Sequence, residues 1–270
     1  MNKKYSLICL ACFINSAYAL TGDFSFKDNL LEIPCIIDQV KLECSIDTGS
    51  AFTAVSSDEF LSYKKIGSIN HQGASGSIIK SDKIEINSLS LAGSMFSTMD
   101  VARFEPRYQL PTTLGLDVFN LSHTWDFVKN RLDFGPIPES LNKVESLIKY
   151  NLINIPITVS DLTINAAWDT GASLSVVDIK IVENNSEDFD FVRTINNGSD
   201  STGTTMKVNM YKLKTMKISN MVFKDLLVVA VDLSGPRSVM KDFPAVFLGH
   251  NVMRGHVWQF DLKKNLWGIR

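Results

Sequence analysis

The sequence predicts an all-β protein built as two similar lobes, and three observations carry that prediction. First, "IPCIIDQVKLECSIDTGSAFTAVS" from Ile33 lies without a gap on "IPITVSDLTINAAWDTGASLSVVD" from Ile155, an offset of 122 residues. Second, a 29-residue stretch from Gly76, "GSIIKSDKIEINSLSLAGSMFSTMDVARF", pairs in the same way with "GTTMKVNMYKLKTMKISNMVFKDLLVVAV" from Gly203. Third, matched apolar positions such as Ile84 with Tyr211 and Ile86 with Leu213 recur at the spacing of two that strands require. Two copies are too few for a solenoid or a propeller, so the repeat reads as two lobes related by a pseudo-two-fold axis.

Taken in chain order, the first nineteen residues stand apart. "MNKK" is a short positive start, "YSLICLACFI" is apolar, and "NSAYA" ends with small residues at Ala17 and Ala19. This is the pattern of a secretory signal peptide cut after Ala19. Its apolar run is short for a bilayer span. The expected product is exported, to a periplasm or to the medium. Cleavage would remove Cys9 and Cys12 and leave Cys35 and Cys44. Those two sit in a β-hairpin pattern. A turn at Gln39-Val40 would set them directly opposite each other, as a candidate disulfide. The alternative is a pair of small buried apolar side chains. No other cysteine remains and no His is close in sequence, so no metal site is expected.

The first lobe is expected over residues 20–137 and the second over 152–270. A linker at 138–151 joins them, with Leu141, Val144 and Ile148 at a spacing that predicts a helical turn or two. A third repeated block closes each half: "TLGLDVFNLSHTWDFVKNRLDFG" holds Leu114-Gly115, and "FLGHNVMRGHVWQFDLKKNLWGI" holds Leu248-Gly249. A short helix is expected after each Leu-Gly, over 117–121 and 251–254. The chain of 270 residues is 45% hydrophobic and 21% charged with a net charge of −2, and it has no block of like charges. That balance gives no reason to expect nucleic acid or an anionic membrane as partner.

The chemistry lies in the repeated Asp-Thr-Gly. Asp47 and Asp169 occupy the same place in the two halves. A pseudo-two-fold axis through that place brings the carboxyls together. Like charges in contact cannot both ionise easily, so such a pair holds one proton over a wide pH range and titrates as a unit. One member then takes a proton from a water while the other donates to a scissile amide, without metal or covalent intermediate. Gly49 and Gly171 let backbone approach the carboxylates. The hydroxyls of Thr48 and Thr170 are placed to bond across to the opposite backbone.

With these residues the chain resembles the aspartic peptidases, a superfamily that includes pepsins and retroviral proteases. "IDTGSAFTAV" and "WDTGASLSVV" match the family's first element, and Leu114-Gly115 and Leu248-Gly249 match its later hydrophobic-Gly element. The size of each half is similar to one retroviral protease subunit, so the chain looks like two retropepsin-like units fused as an internal pseudo-dimer. The resemblance implies a bilobal fold of two small β-barrel-like lobes with the cleft between them. It implies a ψ-shaped loop in which each Leu-Gly strand packs beneath an Asp turn. It also implies flaps at two glycine-rich turns, "HQGASGS" with Gly73, Ser75 and Gly76, and "NNGSDSTGT" with Gly198, Thr202 and Gly203. The alternative for these is plain hairpin turns.

The chain departs from the family at several points. "HQGASGS" holds no Tyr of the kind that pepsins carry at a flap. Trp168 is bulkier than the aliphatic residue usual before the Asp, and is read as core packing or as narrowing the cleft. The residue after the glycine is Ser50 in one half and Ala172 in the other. A hydroxyl at Ser50 that bonds the carboxylate would make Asp47 the ionised partner and Asp169 the protonated one. His71, His123, His250 and His256 are scattered; His250 and His256 read as surface or helix-end residues, with a shared site as the alternative.

The reading is an exported aspartic endopeptidase with no cofactor. It would act as a monomer on extended peptide or unfolded protein, with an acid to weakly acid optimum. The competing reading is a non-catalytic module that holds a peptide in the same cleft. The stretch from Leu20 to Leu31 leaves little room for a pepsin-like propeptide.

Overall fold

The computed structural model describes residues 20–56, 58–138, 141–240 and 242–270. The signal-peptide reading therefore lies outside the described residues. The rest is mostly β, in two eight-stranded sheets that form two lobes and a six-stranded sheet between them.

The two large sheets repeat each other strand for strand. In the first, the order is Ser25–Lys27, Leu30–Ile37, Val40–Ile46, Thr113–Leu114, Ala54–Val55, Ser94–Arg103, Ile78–Leu91 and Lys65–Gln72. In the second, it is Ile148–Lys149, Leu152–Val159, Leu162–Trp168, Val246–Leu248, Ser175–Asp178, Met221–Val231, Thr205–Ile218 and Phe189–Ser199. Each sheet curls until its second strand also pairs with its seventh, Cys35 with Leu91 and Ile157 with Ile218. That closure pairs backbone edges that would otherwise be exposed and makes each lobe barrel-like. The sequence repeat is thus a structural one: Ile84 pairs with Val101 where Tyr211 pairs with Val228.

The middle sheet is shared. Its central strands, His123–Asp126 and Val257–Asp261, come one from each lobe and set Trp125 directly opposite Trp258. An aromatic core fills the space beneath the Asp turns. Trp168 is fully buried and contacts Trp125 at 5.5 Å, Trp258 at 6.0 Å and Phe260 at 4.8 Å between ring centroids. Such pairs are each worth about 0.5–1.5 kcal/mol beyond the area they bury. Trp168 therefore belongs to the core that supports the floor, and it does not line the cleft.

Three local expectations need correction. The first hairpin turns at Asp38-Gln39, not Gln39-Val40. Both residues stand at positive φ, 45° and 75°, as a type I′ turn requires. The Asp38 carboxylate also accepts the backbone N–H groups of Asn87 at 2.9 Å and Ser88 at 2.7 Å, which fixes that turn on the neighbouring strand. The register shifts accordingly: Cys35 faces Leu42, and Cys44 faces Ile33. The two cysteines are diagonal neighbours on the buried face and still form a disulfide, with 5.9 Å between their Cα atoms.

The linker holds no helix among its described residues. Asn142–Lys143 joins the edge of the middle sheet and Ile148–Lys149 the edge of the second lobe's sheet. Backbone pairing to strands already in place outweighs the weak helical spacing. The helices after Leu-Gly are single turns that start one residue early, a 3-10 turn at Leu116–Val118 and an α-turn at His250–Met253. Among the described residues, no helix is long and apolar enough to cross a membrane.

Candidate active site

Each Asp-Thr-Gly sits at the end of a strand, and the ψ-shaped crossing holds it there. Val40–Ile46 runs parallel to Thr113–Leu114, and the Asp47 N–H donates to the Leu114 carbonyl at 3.0 Å. Leu162–Trp168 runs parallel to Val246–Leu248, and the Asp169 N–H donates to the Leu248 carbonyl at 3.0 Å. After each Leu-Gly the chain bonds back to the turn, Leu116 N–H to Ser50 O at 2.8 Å and His250 N–H to Ala172 O at 2.9 Å.

The two turns interlock across the lobe boundary. The Thr48 hydroxyl donates to the Trp168 carbonyl at 2.8 Å, and the Thr170 hydroxyl donates to the Ile46 carbonyl at 3.1 Å. In return, the Thr48 N–H donates to the Thr170 hydroxyl at 2.9 Å and the Thr170 N–H to the Thr48 hydroxyl at 3.0 Å. Both threonines are fully buried. Four buried bonds of about 1 kcal/mol each fix the distance between the turns. They therefore fix the distance between the two carboxyls.

Those carboxyls share a hydrogen bond. Asp47 accepts the Gly49 N–H at 2.9 Å, and Asp169 accepts the Gly171 N–H at 2.9 Å. The glycines also leave space for the opposite carboxyl. A Cβ at Gly49 would lie 2.6 Å from Asp169 Oδ1, and one at Gly171 would fall on the Asp47 carboxylate. Burial raises the pKa of both. Asp169 is raised well above the usual carboxylate range, because the charge of Asp47 faces it as well. Asp47 is held lower by its hydrogen bond from Asp169 and by the N–H groups of Gly49 and Ser50. The hydroxyl that the sequence suggested as a carboxylate partner plays no part here. The Ser50 hydroxyl turns away and donates to the Phe52 carbonyl at 3.0 Å.

Several residues that support the site escaped the sequence reading. Asp117 accepts the Thr53 N–H at 2.9 Å and the Thr53 hydroxyl at 2.7 Å, and the Gly115 N–H donates to that same hydroxyl at 3.1 Å. Asn251 does the same for Ser175 and Gly249 at 2.9, 2.9 and 3.1 Å. Both lie two residues after Leu-Gly, so the third repeated block could have disclosed them. His250 is buried, and its Nε2 donates to the Thr170 carbonyl at 2.7 Å, behind the second Asp turn. His123 is buried too. His250 thus stands at a helix end, as the sequence suggested, but it is buried rather than exposed. His256 packs on Phe223 and His250 on Phe26, which gives no sign of a shared site. Among the described residues, no cluster of His, Cys, Asp and Glu is placed to hold a metal ion.

The glycine-rich turns are tips of two long hairpins, at 73–77 and 200–204, and the tips touch. Gly198 lies off the second tip, in the strand paired with Met206. Beneath each hairpin is a small apolar cluster. The first has Ile69, Ile79, Phe104, Tyr108 and Leu110, and the second has Ile195, Met206, Val208, Val231 and Phe247. Paired carboxyls, two apolar clusters and two long hairpins that meet at their tips are the parts that a site for an extended chain would need.

The Leu-Gly glycines carry a stability prediction. A Cβ at Gly249 would lie 2.6 Å from the Ala172 carbonyl oxygen, and one at Gly115 would be as close to that of Phe52, at 2.6 Å. Backbone cannot move aside there without displacing an Asp turn. Gly115→Ala and Gly249→Ala are each expected to cost roughly 1–3 kcal/mol in urea unfolding. Gly235→Ala, where a Cβ meets nothing within 4 Å, should change stability by no more than about 0.5 kcal/mol.

No curated protein matches the chain. A family model described as aspartyl protease matches residues 155–252, a span that holds Asp169-Thr170-Gly171 and Leu248-Gly249, and it supports the resemblance of this chain to the aspartic peptidase superfamily.

Proposed function

We propose that the protein is an exported aspartic endopeptidase that hydrolyses peptide bonds in extended chains. The observation that carries the proposal is the hydrogen-bonded Asp47–Asp169 pair on a floor fixed by Thr48 and Thr170. Asp47 is the ionised partner and Asp169 holds the shared proton. A water between them gives a proton to Asp47 as its oxygen attacks the scissile carbonyl carbon. Asp169 donates its proton to the carbonyl oxygen. The resulting gem-diol collapses when the proton on Asp47 passes to the leaving nitrogen, and a hydroxyl proton returns to Asp169. The pair then again holds one proton, as at the start. The apolar walls below the hairpins favour apolar side chains beside the scissile bond. Export follows from the first nineteen residues of the sequence, and the Cys35–Cys44 disulfide fits an oxidising compartment.

Digestion of a peptide library across pH, with and without pepstatin, tests the proposal. The expected result is a bell-shaped profile in the acid to weakly acid range. Activity is lost at low pH when Asp47 also takes a proton and the pair holds two, and at higher pH when Asp169 loses the one it holds. A rate that climbs steadily above neutrality would sink the mechanism. Pepstatin resistance alone would not, because the mechanism does not depend on a pepstatin-shaped subsite.

A further inference from the structure

The two hairpin tips meet at equivalent positions of the repeat. Setting Gly76 on Gly203 places Gly73 on Asp200 and Ser75 on Thr202. The backbones close in the same way. Gly73 N–H donates to Ser77 O at 2.9 Å and Gly76 N–H to Gly73 O at 3.0 Å. Asp200 N–H donates to Thr204 O at 3.2 Å and Gly203 N–H to Gly73's counterpart, Asp200 O, at 2.9 Å. Gly76 and Gly203 both take the left-handed conformation, at φ 83° and 75°. The tips are alike in backbone and differ most in one side chain.

That side chain bridges the tips. Oδ1 of Asp200 serves its own hairpin and accepts from Thr202 N–H at 2.9 Å, the Thr202 hydroxyl at 2.6 Å and Thr204 N–H at 3.2 Å. Oδ2 serves the other hairpin and accepts from Ser75 N–H at 2.9 Å and from the Ser75 hydroxyl. The Ser75 hydroxyl is itself braced by the Ser77 N–H at 3.2 Å. Gly73 completes the fit, because a Cβ there would fall on the Asp200 carboxylate. Aspartate at both positions would press two like charges together, and glycine at both would leave no acceptor. One of each gives a contact that closes without repulsion.

We infer that Asp200 is a latch that holds the two hairpins together over the cleft when no substrate is bound, and that an extended chain reaches the carboxyl pair only after Asp200 releases Ser75. The inference rests on the proposed reading of the hairpins as flaps. Release breaks the two bonds to Ser75 and leaves the three within the second tip intact, so opening does not require either hairpin to unfold. Bonds to a carboxylate are strong enough to favour the closed arrangement, and partial exposure keeps them weak enough to break. The latch is directional in a way that two identical subunits cannot copy. The second hairpin supplies the acceptor, and the first supplies the donors and the space.

Electron-spin distance measurements on the full chain without substrate test this. Nitroxides attached through p-acetylphenylalanine at positions 74 and 201, both exposed at the tips, spare the cysteines. The otherwise unchanged protein should give a short, narrow distribution. Asp200→Asn keeps an oxygen for Thr202 but turns an amide N–H toward the Ser75 N–H. Gly73→Val displaces the carboxylate and leaves every donor and acceptor of the second tip in place. Each should move most of the population to longer, broader distances. An unchanged distribution in either variant, or a long and broad one in the parent, overturns the latch. The readout needs no catalysis, so a protein that opened as expected yet cut no peptide would count against the peptidase reading alone.

Discussion

Asp47→Ala and Asp169→Asn should each lower kcat/KM on a cleaved peptide by at least about 1,000-fold, since each removes one half of a proton-transfer pair. Asp169→Asn adds a second, opposite effect. Burial and the charge of Asp47 raise the Asp169 pKa in the folded protein. The unfolded chain ionises this group near the ordinary carboxylate value while the folded protein resists doing so. Above that value, therefore, the folded state binds more protons than the unfolded one, and stability falls as pH rises toward the folded pKa. Asparagine removes that penalty and can keep the Gly171 N–H bond to Oδ1. The variant should thus be inactive and also melt higher than the parent at pH 7, with the difference shrinking toward pH 4. Normal cleavage by either variant would end the two-carboxylate mechanism. A lower melting temperature for Asp169→Asn at pH 7 would show that the pair is not strained by charge. For Asp47→Ala only the loss of cleavage is predicted, because the substitution also removes the partner of the shared hydrogen bond and so mixes its effects on stability.

Much of the fold was legible because the chain states it twice. A single Asp-Thr-Gly reads equally well as a turn. Two at equivalent positions, each followed by Leu-Gly, specify a floor, and Thr48 and Thr170 sit where a crossed lattice needs them. What stayed hidden depends on geometry that pattern does not encode. The register of the first hairpin turned on the ability of Asp38 to hold a positive φ while its carboxylate gripped Asn87 and Ser88. The partner of the Ser50 hydroxyl was decided by the path of the chain at Phe52. Asp200 reads as a turn former, and only the meeting of two hairpins gives its second oxygen a task. The short β-pairings of the linker were masked by an apolar spacing that also fits a helix.

His123→Phe should flatten the loss of stability on acidification. His123 is fully buried in the shared sheet, ringed by Phe119, Trp125, Phe134 and Phe260. Its Nδ1 donates to the Leu121 carbonyl at 2.7 Å, and its Nε2 has no partner. Burial pushes the imidazole down from 6.5 to about 4, against the weaker opposing pull of the Leu121 carbonyl and of Asp261. Between those values the unfolded chain takes up a proton that the folded protein refuses, so stability drops as pH falls from about 6.5 to about 4. A shift of that size corresponds to roughly 3 kcal/mol. Phenylalanine fills similar space and cannot titrate, at the cost of an unbonded Leu121 carbonyl. The variant should therefore be somewhat less stable at pH 7.5 but lose less on going to pH 4.5, as read from urea midpoints at both values. Equal losses in parent and variant would show that His123 does not set the acid limit. His71, His250 and His256 are also lowered by burial, so a residual acid slope should remain. The carboxyl pair and the shared sheet thus respond to pH in opposite senses. On the proposed mechanism the site gains its working proton toward acid while the sheet beneath it loses stability, so the activity optimum is expected in weak acid.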